Sequence, residues 1–113
     1  MNEQDGNRVD VQDEKLLLVS GSKGQKGLDK EYVKKLSNAI YQVYSKHGEA
    51  RLRCVGAASI NNALKAFIIA KGEAKKRDER LVIDPSFTTV VFQGEEKTGI
   101  LMKVYIEAQT TSS

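Results

Sequence analysis

From residue 15 onward the apolar positions fall into runs of changing period, and each change marks an element. "LLLVS" at 16–20 is an unbroken apolar run closed by Gly21, the pattern of a short strand buried on both faces. Val33, Leu36, Ile40 and Val43 then recur at spacings of three and four. With Asp29 as a cap and Gly48 as a stop, they predict a helix over Lys30–His47. "ARLRCVGA" alternates instead: Leu52 and Cys54 point one way, Arg51, Arg53 and Val55 the other, so a strand with one wet face follows. Ile60, Ala63, Leu64, Phe67 and Ile68 form the apolar stripe of a second helix, with Ser59 as its N-cap and Gly72 as its end.

"EAKKRDE" breaks the pattern as a charged connector. "RLVID" and "FTTVVF" then have strand character on either side of Pro85, where the strand should bend or break. A turn over Gln93–Lys97 centred on Gly94 leads into a last strand, with Ile100, Met102, Val104 and Ile106 on one face. Phe67 and Phe87 are expected in the core. The order strand, helix, strand, helix, strand, strand favours two helices packed on one side of a four-stranded mixed sheet, an α+β class.

Outside these elements lie two polar ends. Residues 1–14 have no apolar period and too little apolar surface to offset the entropy of ordering, so a disordered acidic tail is expected there. Residues 109–113 are expected to fray, leaving one domain over 15–108. The 113-residue chain is long enough for a real core, and its single cysteine excludes an internal disulfide. No apolar stretch resembles a signal peptide or a membrane span. The expectation is a soluble cytoplasmic protein, nucleoid-associated or nuclear according to its source.

Charge changes the picture because it is unevenly spread. Residues 1–14 carry Glu3, Asp5, Asp10, Asp13 and Glu14 against Arg8, a charge of −4. The formal total is +3, so +7 remains on residues 15–113. A basic domain of this size attracts polyanions, which makes nucleic acid the leading partner class.

The stretch "SGSKGQKG" at 20–27 concentrates three glycines and two lysines in eight positions. A nucleotide-binding P-loop would need Ser or Thr after the lysine, and Gly27 follows Lys26. The glycines at 21, 24 and 27 also miss the dinucleotide spacing G-x-G-x-x-G. Two overlapping G-x-x-G runs match the clamp of a KH module, but that clamp joins two helices, whereas this loop joins a strand to a helix. Contact with a nucleic-acid backbone remains, with glycines admitting backbone amides and lysines displacing counterions. The competing possibility is a solvated basic connector.

The segments 55–72 and 83–100 resemble the stage V sporulation protein S family, a branch of the Alba superfamily of nucleic-acid-binding proteins. The matching features are the Val55, Gly56, Ala57 turn, Asn61, Ala63, Lys65 and Ala66 within the second helix, and the Ala70, Lys71, Gly72 exit. Pro85, Phe87 and Thr88, and the run from Gly94 to Thr98, complete the match. The resemblance covers roughly residues 15–108. It implies an Alba-like two-layer β-α-β-α-β-β sandwich, a four-stranded mixed sheet with two helices on one face. It further implies a developmental or gene-expression regulator that binds DNA or RNA.

In such a domain the first loop lies at the nucleic-acid face, where Lys23, Gly24 and Lys26 would meet phosphates. Arg53 would extend that surface, Arg51 more weakly. Asn61, Asn62 and Lys65 sit at the start of the second helix, where its amino end can hold an anion, and Asn61 and Lys65, four apart, share one side. Asn61 could equally satisfy a buried backbone group near Gly56.

Catalytic chemistry finds little support. His47 and Cys54 lack evident partners, and Glu95 and Glu96, adjacent in the hairpin turn, project to opposite sides. The expectation is no enzyme, no metal or other cofactor, no small-molecule substrate and no membrane. The second helix carries more apolar surface than one sheet can cover, so a homodimer is expected. A second function class, a protein-interaction or assembly module with no direct nucleic-acid role, rests on that same surface.

Overall fold

One strand sets the layering of the whole domain. Along Glu49–Cys54, Ala50, Leu52 and Cys54 are fully buried while Glu49, Arg51 and Arg53 are only half-covered, so one face of the sheet is packed and the other is open. The computed structural model describes residues 13–21 and 26–107, with side chains in the first helix described from residue 30 onward. The elements are β1 (Leu16–Leu18), α1 (Lys26–His47), β2 (Glu49–Cys54), α2 (Ala57–Lys75), β3 (Leu81–Phe92) and β4 (Glu95–Ile106). The sheet order is β1-β2-β4-β3. β1 runs parallel to β2, with Leu17 opposite Leu52. β4 is antiparallel to both neighbours, with Ile100 opposite Cys54 on one side and Phe87 on the other. This is the expected Alba-like α+β arrangement.

The core lies between the packed face and the helices. α1 contributes Val33, Leu36, Ile40 and Tyr44, and α2 contributes Ala63, Ala66, Phe67, Ala70 and Ala74. Four of those five α2 residues are alanines, which lets the helix axis approach its neighbours closely. The bulky Leu64 and Ile68 of the expected stripe are left exposed.

Several boundaries differ from the sequence pattern for identifiable reasons. α1 starts at Lys26, so Asp29 lies within its first turn and is not its cap. Gly27, a poor helix former, hides this earlier start from a propensity reading. α2 starts at Ala57 with Gly56 as N-cap at φ 95°, and no side chain caps it. Ser59 is buried, its hydroxyl 2.9 Å from Val55 O and 3.0 Å from Gly56 O inside the first turn. The helix passes through Gly72 to Lys75, held by burial of Ala70 and Ala74 on either side.

β3 is continuous through Pro85. It is an edge strand, so the missing N–H of Pro85 interrupts no second ladder. The hairpin turn is shorter than expected. Gln93 (φ 53°) and Gly94 (φ 80°) form it alone, and β4 begins at Glu95. β1 is also an edge, and Leu18 lies exposed on the open face, so this strand is not buried on both sides.

Phe87 is the clearest departure: it is 80% exposed and not in the core. β2 ends at Cys54, two strands away from Phe87 in the same row, and α2 begins there. Beyond that row β3 and β4 continue as an uncovered two-stranded arm.

Candidate nucleic-acid interface

The connectivity gathers several features at one end of the domain. β1 points toward this end and the chain leaves it through Ser20 and Gly21. α1 begins there and returns to feed the parallel β2, and β2 arrives at the same end before Gly56 turns the chain into α2. Both helices therefore open here, and each amino terminus carries roughly half a positive charge. The arm of β3 and β4 projects past the same end.

The base of the first loop is fastened to both helices. Ser20 N–H donates to the Tyr32 hydroxyl of α1 at 2.8 Å, and Asn62 Nδ2–H of α2 donates to Ser20 O at 3.0 Å. Gly21 lies so near α2 that a Cβ there would come 3.2 Å from Ala58 Cβ. Asn62 is buried, so its amide needs this partner. The sequence reading offered such a role to Asn61, placed Asn62 only where the helix start could hold an anion, and overlooked Tyr32. Helical phase carries the signal: Asn62 shares its side with the buried Ser59 and Ala66, whereas Asn61 shares the exposed side of Lys65.

The sequence-derived site residues divide into three groups. Lys23 and Gly24 lie outside the described residues, and Lys26 opens α1 with its side chain undescribed. Asn61 and Lys65 are exposed together on the outer side of α2. Arg53 lies on the open face of the sheet, away from the helices, so it is not brought beside Asn61 and Lys65. Its neighbour Arg51 is engaged by acids. Arg51 Nη2 pairs with Asp13 Oδ2 at 3.0 Å, Nε lies 3.4 Å from Glu49 Oε2, and Lys103 reaches Glu49 at 3.7 Å. The start of the described chain thus already lays one acid of the amino-terminal segment on this face.

The reactive side chains are quiet. Cys54 is fully buried, and burial pushes its thiol up to about 11, a hydrogen bond with Ser59 opposing the shift only in part. A thiol in that range stays protonated at neutral pH and is a poor nucleophile. His47 meets Glu14 at 3.6 Å near the carboxyl end of α1. Tyr44 donates to Glu79 Oε1 at 3.2 Å, and burial, reinforced by the charge of Glu79, raises its phenol well above the usual range. Among the described residues no cluster of His, Cys, Asp and Glu could hold a metal, and no helix is long and apolar enough to cross a membrane.

Two helices over one face of a four-stranded mixed sheet, with both amino termini at the end where the chain leaves β1, define a small α+β sandwich domain. The chain belongs to the stage V sporulation protein S family, whose model matches residues 29–107. It is therefore a member of a sporulation-related family. The matched span begins just after "SGSKGQKG", so that loop lies outside it.

Proposed function

We propose that this protein is a nucleic-acid-binding regulator that acts as a homodimer and contacts the phosphate backbone of DNA or RNA. The observation that carries this reading is the convergence of both helix amino termini on the end where the Lys/Gly loop leaves β1. Lys23 and Lys26 supply charge, and the clamps from Tyr32 and Asn62 fix where the loop departs. Contacts of this kind position a protein on nucleic acid without reading its sequence. Lys65 and Asn61 extend the surface along α2, and Arg53 adds charge behind it. The role is binding without catalysis, supported by the protonated and buried Cys54.

The test is affinity for duplex DNA, duplex RNA and single strands over a salt series. Changing Lys23 and Lys26 to Ala removes up to four ion contacts in a dimer. The slope of log affinity against log salt should then shrink by roughly 3 to 4 units, with similar loss across sequences. A double variant with the parent's affinity and slope would make the loop a connector.

A second reading is favoured by the exposed Leu64, Ile68 and Phe87. They suit an assembly module in development whose basic charge is incidental. Under that reading, retention on a nucleic-acid column is absent or insensitive to salt.

A further inference from the structure

The β3 edge of the domain carries an ordered row of side chains. Leu64 (41% exposed) and Ile68 (63%) lie on the flank of α2, and Phe87 (80%) and Val91 (66%) stand on β3. Register places Glu96 beside Val91, on the same face as Phe87. At the opposite end, Lys71 and Lys75 border a cavity of about 340 Å³ that is also lined by Asp78, Glu79 and Arg80.

The charges at the two ends are available. Glu95 lies 3.9 Å from Lys97, and Arg80 pairs with Glu107 at 2.9 Å. Glu96, Lys71 and Lys75 have no ionic partner among the described residues. From the arm downward the order is acid, apolar, apolar, base. Phe87 to Val91 spans roughly 13 Å at the rise of a strand. Leu64 to Lys75 spans roughly 16 Å at the rise of a helix. The acid and the bases thus stand at similar distances on either side of Leu64 and Phe87.

A row of this kind is complementary to its own reverse. We propose that two copies pair along this edge in antiparallel order, each arm placing Glu96 against Lys71 and Lys75 of the other copy. The proposal rests on the homodimer reading and adds the interface, its polarity and its charge pairing. A two-fold axis near Leu64 and Phe87 sets apolar residues on apolar residues at the centre and opposite charges at both ends. The parallel alternative sets Glu96 against Glu96 and lysines against lysines. Pro85 removes a donor from the middle of the β3 edge, so side chains and not a continuous ladder carry the contact.

The experiment compares sedimentation of four full-length chains at tens of micromolar, with circular dichroism confirming that each is folded. The parent sediments as a dimer. K71E/K75E sets acid against acid at both junctions, E96K sets base against base, and each alone weakens the dimer roughly tenfold or more. Mixing those two variants restores a dimer, because each then meets its opposite twice. A chain carrying K71E/K75E/E96K regains self-association, which keeps the proposal testable if a mixture exchanges slowly. A dimeric parent unaffected by either set of changes, or variants that fail to rescue one another, overturns the antiparallel junction and leaves the homodimer reading standing. A monomeric parent at these concentrations removes the homodimer reading itself.

Discussion

Adding the same methyl group at two glycines should move stability in opposite directions. Gly99 is buried at the row where β4 passes the end of β2, and a Cβ there would lie 2.7 Å from Cys54 O, 3.2 Å from Val55 Cγ2 and 3.5 Å from Thr88 Cγ2. The nearest atom is a backbone carbonyl on a strand locked into the β2–β4 ladder, so it cannot turn aside as a side-chain tip would. Overpacking of this kind costs about 1–3 kcal/mol. Replacing Gly by Ala recovers about 0.4–1 kcal/mol through the unfolded chain. Gly99→Ala should therefore destabilise by about 1–2 kcal/mol, lowering Tm by about 5–15 °C for a domain of this size. Gly72 sits in α2 with nothing within 4 Å of the added carbon. Gly72→Ala should stabilise by up to about 1 kcal/mol on helix propensity alone. Urea unfolding followed by circular dichroism measures both, with unchanged m-values confirming that the folded states are alike. A Gly99→Ala protein as stable as the parent would refute the close approach of β2 to β4. A destabilised Gly72→Ala would refute the open setting assigned to that helix face.

Further outcomes follow from the clamps, the buried phenol and the acidic segment. Asn62→Ala removes the amide that holds Ser20 O but no charge, so nucleic-acid affinity should fall while the salt slope stays that of the parent, a combination a titration series reads directly. Tyr44 has its folded pKa raised above the unfolded value near ~10, so the folded state retains the proton longer. Its contribution to stability is complete below that pH and is lost as pH rises above it, by at most about 1.4 kcal/mol per pH unit. Tyr44→Phe should flatten the alkaline limb of stability against pH, and an unchanged limb would show that this phenol is not held protonated by the fold. Deleting residues 1–14 removes a charge of −4, including the Asp13 bound to Arg51, and should tighten nucleic-acid binding at low salt with the gain vanishing at high salt. Equal affinity in the truncated protein would mean that this segment neither shields nor touches the basic surface.

What the sequence determines by itself is the set of elements and the face each strand presents. The alternation at 50–54 and at 100–106 survives intact, because a period of two is a local property of an extended chain and fixes which side chains face the helices. Val33, Leu36 and Ile40 are likewise buried as their spacing demands. The loop chemistry at 20–27 also belongs to the sequence, since lysine charge and glycine freedom need no tertiary context to be recognised.

Tertiary structure decided which apolar residues are covered and where elements stop. α2 buries its alanines and exposes Leu64 and Ile68, because the side that touches the sheet and α1 depends on where the helix lies, and periodicity alone gives only a stripe. Phe87 is exposed because β2 ends at Cys54, a length set elsewhere in the chain. Gly72 and Pro85 are stops in isolation but not here: packing of Ala70 and Ala74 outweighs the glycine, and an edge position leaves the proline's missing N–H without consequence. The clamps on Ser20 come from residues 12 and 42 positions away, and only the return of two helices to one end of the sheet brings them to the base of the loop.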